Sequence, residues 1–505
     1  MAARESFAPL LLLLATVLSA AAVCRAARYG ALVDVRQGHL ESVSAIKPTY
    51  SGYLPVDPDG SAIYYAYYEA QQRGEDVGEP PIVLWLQGGP GCASTFGGFY
   101  ELGPWSVTPD LSVVRNEGTW NRLFGLLLVD QPVGTGFSPA TRGSASIPVD
   151  EMGMAAHLYA ALQGFFTGHA GLAGRPLFIT GESYAGKYVP SIAHYIFQAA
   201  EDATLDSTAN RPTAGVAAEA PPPLLRKRAL PPDTAPPLFR LAGVAIGNGL
   251  TDPRAQTQTL AAAAYYAGLL PPALRDEVAG RAAAVVALID EGKWTEAHDT
   301  REELRRFITN VTGLGTMFDT RRTEEYDPTK SVDRFLNLPE VKEALRALPN
   351  ITYVSCSDAV RAAMGADVMR SVKHLLPDIL ARIPVLLYQG QYDILDGVAS
   401  VTSWLSNLEW PGAKEFGAAK GELWYLRHAG RLAGAGTAEA SARGEGGRGR
   451  GRSDGDATTQ VAGWVRSASR LTHAVVYRAG HMVPRDQPAA AQQLLEDWVA
   501  RALDG

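Results

Sequence analysis

Short apolar runs recur along the chain between turn residues: Ala62 to Tyr68, Pro81 to Leu86, Leu123 to Asp130, Pro176 to Thr180, Leu241 to Gly247, Pro384 to Gln389 and Thr472 to Tyr477. Their β-branched and aromatic content predicts strands. Several are apolar throughout instead of alternating with polar residues, as expected of strands covered on both faces. Helical patterns separate them, so the fold class predicted is α/β. From roughly Arg254 to Lys330 the texture changes to Ala-rich helical sequence, as in Thr259 to Leu269 and Leu274 to Glu291. This stretch predicts a helical insertion, or cap, over the sheet.

Two stretches fit neither core nor cap. Residues 201–237 carry prolines at a density that interrupts both a helix and a central strand, and predict an exposed loop. The basic triplet Arg226-Lys227-Arg228 inside it reads as exposed loop first and as a processing site second. Residues 430–456 (GRLAGAGTAEASARGEGGRGRGRSDGD) hold so little bulky apolar content that ordering them gains almost no burial, which predicts a second solvated loop. At the N-terminus, Arg4 precedes the run Pro9 to Val23 and small residues follow. That is the layout of a cleavable secretory signal over residues 1–27, and the run is shorter than the ~20 residues a membrane span needs. The remainder, 28–505, reads as one domain carrying the cap and the two loops. The sequons Asn310-Val311-Thr312 and Asn350-Ile351-Thr352 agree with the secretory pathway, which makes Asn310 and Asn350 candidate glycosylation sites and the destination extracellular or vacuolar/lysosomal.

Composition narrows the function. Across 505 residues, 46 Lys+Arg against 53 Asp+Glu give a net charge of −7, so no global positive field exists to hold a nucleic acid. Of the three cysteines, Cys24 falls in the signal, leaving Cys92 and Cys356 and at most one disulfide. No cofactor and no metal is expected.

The strongest chemical signal is Phe178-Ile179-Thr180-Gly181-Glu182-Ser183-Tyr184-Ala185-Gly186-Lys187-Tyr188, a strand running into a turn of small residues with Ser183 at its apex and a helical pattern behind. A nucleophile elbow needs this layout, because the sharp strand-to-helix turn tolerates only small neighbours and leaves the hydroxyl above the sheet. The second signal, Trp85-Leu86-Gln87-Gly88-Gly89-Pro90-Gly91-Cys92, follows a strand directly. Consecutive glycines let backbone N–H groups approach a ligand, which suits an oxyanion hole donated by Gly89 and by Tyr184, the residue after the nucleophile. Serine also needs a base and a carboxylate that orients it, and in this fold class both lie C-terminal to the nucleophile. His481 sits in a loop at a strand's C-terminal end, where catalytic groups gather, whereas His428 borders the low-complexity loop and His473 opens an apolar strand as a structural residue. Asp393 holds the equivalent strand-end position for the acid, with Asp396 as the alternative.

Taken together, WLQGGPGC, ELGPW at Glu101 to Trp105, DQPVGTGFS at Asp130 to Ser138, GESYAGKYVP at Gly181 to Pro190, IGNGLTDP at Ile246 to Pro253, YQGQYD at Tyr388 to Asp393 and AGHMVP resemble the serine carboxypeptidase family, in order from about Tyr50 to Trp498. The resemblance implies an α/β-hydrolase fold with a helical cap insertion at about 254–330. It implies peptide C-termini as the substrate, hydrolysed through a Ser183, Asp393, His481 triad and an acyl-enzyme. It also implies that Gln87, Glu101 and Glu182 hold the substrate's terminal carboxylate; since a carboxyl group donates to a carboxylate only when protonated, hydrolysis is expected to be best in mild acid. Two departures stand out. Gln87 replaces the family's usual Asn, and the region where the family places the partner of Cys92 has no cysteine. Cys356 resembles instead the family's unpaired cysteine, so two buried thiols are the first reading and a Cys92–Cys356 bond the second. Alternative functions are a glucose-ester-dependent acyltransferase on the same triad and a catalytically silent binding protein, and the assembly expected is a monomer or a homodimer.

Overall fold

The computed structural model describes residues 43–72, 78–209, 235–324, 327–427 and 460–504, with backbone alone for 204–209. Twelve strands are found there: β1 (Tyr50–Pro55), β2 (Ala62–Tyr68), β3 (Ile82–Leu86), β4 (Trp105–Val107), β5 (Val113–Arg115), β6 (Gly125–Asp130), β7 (Pro176–Glu182), β8 (Arg240–Gly247), β9 (Val385–Gly390), β10 (Glu422–Tyr425), β11 (Val461–Ala468) and β12 (Leu471–Val476). Ten form one sheet in the order β1-β2-β6-β3-β7-β8-β9-β12-β11-β10, and β4 and β5 pair separately. The six central strands from β6 to β12 run parallel, flanked by antiparallel pairs at both edges.

Each of the seven apolar runs predicted as strands is one. The reason they lack alternation is visible in β3, where Ile82, Leu84 and Leu86 enter one apolar core while Val83 and Trp85 enter a second on the opposite face. The same split divides β9 into Val385 and Leu387 against Leu386 and Tyr388. The chain therefore has an α/β-hydrolase-type core with helices on both sides of a mostly parallel sheet.

Helices that bear on the site are α1 (Ser94–Tyr100), α2 (Glu151–Gly168), α3 (Ala185–Ala209), α4 (Pro253–Tyr266), α5 (Pro272–Asp290), α6 (Trp294–Thr312), α7 (Asp358–Met364) and α8 (Pro488–Asp504). The Asp150 carboxylate caps α2 by accepting from Gly153 N at 2.9 Å. Pro190 sits inside α3, where its missing N–H leaves the Gly186 carbonyl without its helical donor. Thr251 Oγ1 supplies that donor at 3.1 Å and so ties α3 to the loop after β8. Within 254–330 the described residues hold α4, α5 and α6 and no strand.

One boundary is corrected. Residues 201–209, read as loop from the prolines that follow, continue α3 to Ala209, because those prolines begin only at Pro212. The rest of that stretch up to residue 234, Arg226-Lys227-Arg228, His428, the 430–456 run and the signal over 1–27 lie outside the described residues. No described helix is long and apolar enough to cross a membrane.

Candidate active site

Because the six central strands share one direction, their C-terminal ends meet at one edge of the sheet, and the loops leaving β3, β7, β8, β9 and β12 deliver Gln87 to Gly89, Ser183, Asn248, Asp393 and His481 respectively. Ser183 adopts φ +66°, a left-handed conformation that costs a non-glycine residue of order 1–3 kcal/mol and persists only where its surroundings enforce it. They do so through three backbone hydrogen bonds: Ser183 N donates to Gly247 O at 3.0 Å, and Ser183 O accepts from Gly186 N at 2.8 Å and Leu250 N at 2.9 Å. Space for the turn depends on absent side chains. A Cβ on Gly181 would lie 2.6 Å from Leu86 O, and one on Gly88 would lie 2.5 Å from Tyr184 N. The glycine loop after β3 is thus pressed against the serine turn, and the N–H groups of Gly89 and Tyr184 donate to no acceptor among the described residues.

His481 Nδ1 meets Asp393 Oδ2 at 2.5 Å. Asp393 is held by three further donors: Asn248 Nδ2 at 2.8 Å on Oδ2, and Leu395 N at 2.8 Å and Asp396 N at 3.1 Å on Oδ1. An aspartate that accepts four hydrogen bonds fixes the proton on His481 Nδ1 and leaves Nε2 as the imidazole's lone-pair nitrogen. Nε2 is buried without a hydrogen-bond partner among the described residues, and His481 and Ser183 line the same cavity of about 300 Å³. Ser183 Oγ and Nε2 are not hydrogen-bonded here, an arrangement common before substrate closes the gap. Phe318 packs on the imidazole with ring centroids 4.2 Å apart and accepts from His481 N at 2.8 Å. Burial pulls the imidazolium down, but the Asp393 carboxylate outweighs it, and the net position of His481 is above the ordinary histidine value.

Geometry also separates the alternatives weighed for the acid and the base. Asp396 accepts from Gln256 Nε2 at 3.0 Å and makes no hydrogen bond to His481, whereas Asp393 is the carboxylate hydrogen-bonded to the imidazole. His473 is fully buried with Nε2 2.6 Å from Gln389 Oε1, and burial pushes it down to about 3, which leaves it a neutral structural residue.

Gln87 reaches the pair of glutamates. Its Nε2 donates to Glu101 Oε1 at 3.2 Å and Glu182 Oε1 at 3.3 Å, while its Oε1 accepts from Trp85 Nε1 at 2.9 Å. An indole N–H only donates, so Trp85 sets the amide's orientation and aims both amide hydrogens at the carboxyl groups. Glu101 Oε2 and Glu182 Oε2 are buried without a hydrogen-bond partner among the described residues. Burial pushes Glu101 up to about 7, and burial together with the charge of Glu101 pushes Glu182 well above the carboxylate range. At mildly acid pH the pair is therefore protonated and able to donate.

Behind the serine turn, Tyr184 Oη donates to Asp367 Oδ2 at 2.8 Å, and the buried Lys187 ammonium contacts the same carboxylate and the Asp367 carbonyl. Asn248, Trp85, Asp367, Lys187 and the Tyr184 side chain carry no role in the sequence reading, which used only the Tyr184 backbone N–H. Asn248 lies inside the quoted IGNGLTDP run, but nothing local to it points to Asp393, which is 145 residues away.

Cys92 and Cys356 form a disulfide, which overturns the reading of two thiols. The chain after Gly91 pairs with 355–357 as a short bridge, Ala93 N to Ser355 O and Ser357 N to Gly91 O both at 2.8 Å, so the two cysteines face each other. The bond anchors the glycine loop to the segment that starts α7. With the two cysteines 264 residues apart, the chain-entropy account gives roughly 5–6 kcal/mol, above the ~2–4 kcal/mol typical of measured disulfides. Asn310, in the last turn of α6, and Asn350 are both exposed.

Comparison with known proteins agrees with this architecture. The serine carboxypeptidase family model matches residues 42–210 and 227–501. Serine carboxypeptidase-like 50 of Arabidopsis thaliana is 39% identical over 454 residues, covering 90% of this chain and 87% of the relative. Probable serine carboxypeptidase CPVL of Dictyostelium discoideum is 30% identical over 457 residues, covering 89% and 78%. Among solved structures, the prohormone-processing carboxypeptidase Kex1(delta)p of Saccharomyces cerevisiae superposes with a TM-score of 0.70 at 22% identity, over 91% of this chain and 92% of that one, a likeness of fold. The chain belongs to the serine carboxypeptidase family and is a serine-type carboxypeptidase, a hydrolase of α/β-hydrolase fold.

Proposed function

We propose that this protein removes single residues from peptide C-termini through Ser183, His481 and Asp393, with Gln87, Glu101 and Glu182 holding the terminal carboxylate. Ser183 Oγ attacks the last peptide carbonyl while His481 Nε2 takes its proton, and the N–H groups of Gly89 and Tyr184 receive the oxyanion. His481 returns the proton to the leaving amine, and the same nitrogen then activates the water that releases the shortened peptide. The observation that carries this reading is the Gln87-bridged pair Glu101 and Glu182, of which Glu182 directly precedes Ser183 in sequence, both held protonated in mild acid. An acyltransferase has no terminal carboxylate to place there. The exposed Asn310 and Asn350 support a destination in the secretory pathway, extracellular or vacuolar/lysosomal.

The test is digestion of a peptide mixture between about pH 6 and 7, where His481 is losing its proton while Glu101 still keeps its own, read by mass spectrometry. Loss of successive C-terminal residues is expected, with peptide amides of the same sequences left intact. Internal cuts, or turnover only of a glucose ester with an acceptor, would remove the carboxypeptidase reading.

A further inference from the structure

The cap helix α6 buries Ala297, Arg301, Leu304 and Ile308, spaced four, three and four residues apart as one helical stripe. A guanidinium in that stripe stands out, because arginine is almost never fully buried without a partner. Arg301 is 4% exposed and lines the cavity that holds Ser183 and His481, and its side chain hydrogen-bonds to no described residue; its Nε is buried without an acceptor. Its nearest carboxylates, Glu302 at 3.8 Å and Asp396 at 3.9 Å, are beyond hydrogen-bond reach. Glu302 is engaged by Arg305 at 2.8 Å and Asp396 by Gln256.

The surroundings add positive charge. Arg305, Arg361 and His298 line the same cavity, and Arg361 is exposed at its rim with no ion pair among the described residues. Arg305 lies 5.5 Å from the Phe318 ring centroid, and Phe318 stacks on His481, so the cluster is one ring away from the imidazole. Facing these cations are Glu302, Asp396 and Glu182. Burial pushes Asp396 up to about 6 and Glu182 well above the carboxylate range, so near pH 5 Glu302 alone of the three is fully ionised against three guanidinium groups.

Resting on the carboxypeptidase reading above, we propose that Arg301, supported by Arg305 and Arg361, receives an acidic side chain from a residue flanking the scissile bond, so that peptides with Glu or Asp at or next to the C-terminus are the preferred substrate class. The guanidinium fork matches a carboxylate in two-point geometry, and a charge-assisted pair inside a cavity discriminates far better than one in water.

Blocked dipeptides carrying Glu or its neutral isostere Gln, at either position, test this near pH 6, where wild-type turnover is measurable. The Glu peptide is expected to show a kcat/KM at least about tenfold higher at one of the positions, the lower end for a hydrogen bond to a charged group. Arg301→Met and Arg301→Lys should bring the ratio towards one, and the rim substitution Arg361→Gln should lower it by less. Labelling of Ser183 by a fluorophosphonate shows which variants are folded, and the wild-type ratio needs none of them. Equal cleavage of Glu and Gln peptides at both positions would overturn the inference while leaving the carboxypeptidase reading intact. A uniform loss across Glu and Gln peptides in Arg301→Lys would also overturn it, by assigning Arg301 to the terminal carboxylate. Hydrolysis of no blocked dipeptide at all would remove the underlying reading itself.

Discussion

Ser183→Ala is expected to reduce kcat by roughly 10⁵–10⁶-fold, the scale seen when the nucleophile of a serine triad is removed. The change should leave the fold untouched. Ala at φ +66° carries much the same backbone strain as Ser, and the bonds that hold the turn, to Gly247 O and from Gly186 N and Leu250 N, are all backbone. Substrate affinity should survive as well, since the proposed carboxylate-binding residues Gln87, Glu101 and Glu182 and the proposed cation cluster remain. The measurement is single-turnover hydrolysis of a blocked dipeptide beside a thermal melt. A variant that keeps more than a few per cent of wild-type kcat would show that Ser183 is not the nucleophile.

Asp393→Asn should cost roughly 10⁴-fold in kcat, through a different route. Asp393 accepts four hydrogen bonds, two on each oxygen. An asparagine has one carbonyl oxygen and one amide nitrogen, so it satisfies one pair of donors and presents hydrogens to the other. If the carbonyl stays on Leu395 N and Asp396 N, its amide points at His481 Nδ1 and forces the proton onto Nε2, which can no longer take one from Ser183. Fluorophosphonate labelling should slow in proportion to kcat. The low-pH side of the profile should also move down in pH, because the carboxylate that outweighs the burial of His481 is gone. An unchanged profile together with near-normal labelling would assign the orienting role to Asp396.

Much of the frame was legible in the sequence because the parallel strands are buried on both faces and therefore apolar throughout. The edge strands were not. Glu422 to Tyr425 and Val461 to Ala468 are half-exposed, mix polar and apolar residues, and are separated by the low-complexity run, so neither gives a continuous signal. Tyr50 to Pro55 contains Gly and Pro and pairs on one side only. For the candidate site, the residues inside motifs could be named because their chemistry is local: a serine in a tight turn, glycines after a strand, a histidine and an aspartate at strand ends. Residues whose role comes from a distant partner were missed. Asn248 reads as a turn residue until Asp393 is beside it, Trp85 as core until Gln87 is, and Arg301 as one cap charge among several until its burial is known. The Cys92–Cys356 bond was under-read for the same reason, since only the bridge between 91–93 and 355–357 shows that the two meet.

In the proposed mode of binding, Glu101 and Glu182, aligned by Gln87, donate to the substrate's terminal carboxylate while protonated. Their raised positions keep them neutral at acid pH, and they lose that proton as pH rises through about 7 and above. Two negative groups then face a third. His481, raised above its ordinary value, must be unprotonated to act as base and limits activity from the acid side for every substrate. The two limbs therefore lie close together and predict a narrow optimum on the acid side of the carboxyl limb. The direct measurement is the pH profile of kcat/KM for one blocked dipeptide as the free acid and as its methyl ester. A fall above pH 7 for the acid alone, with the acid-side limb shared by both, is the predicted result; parallel profiles across the whole range would contradict it.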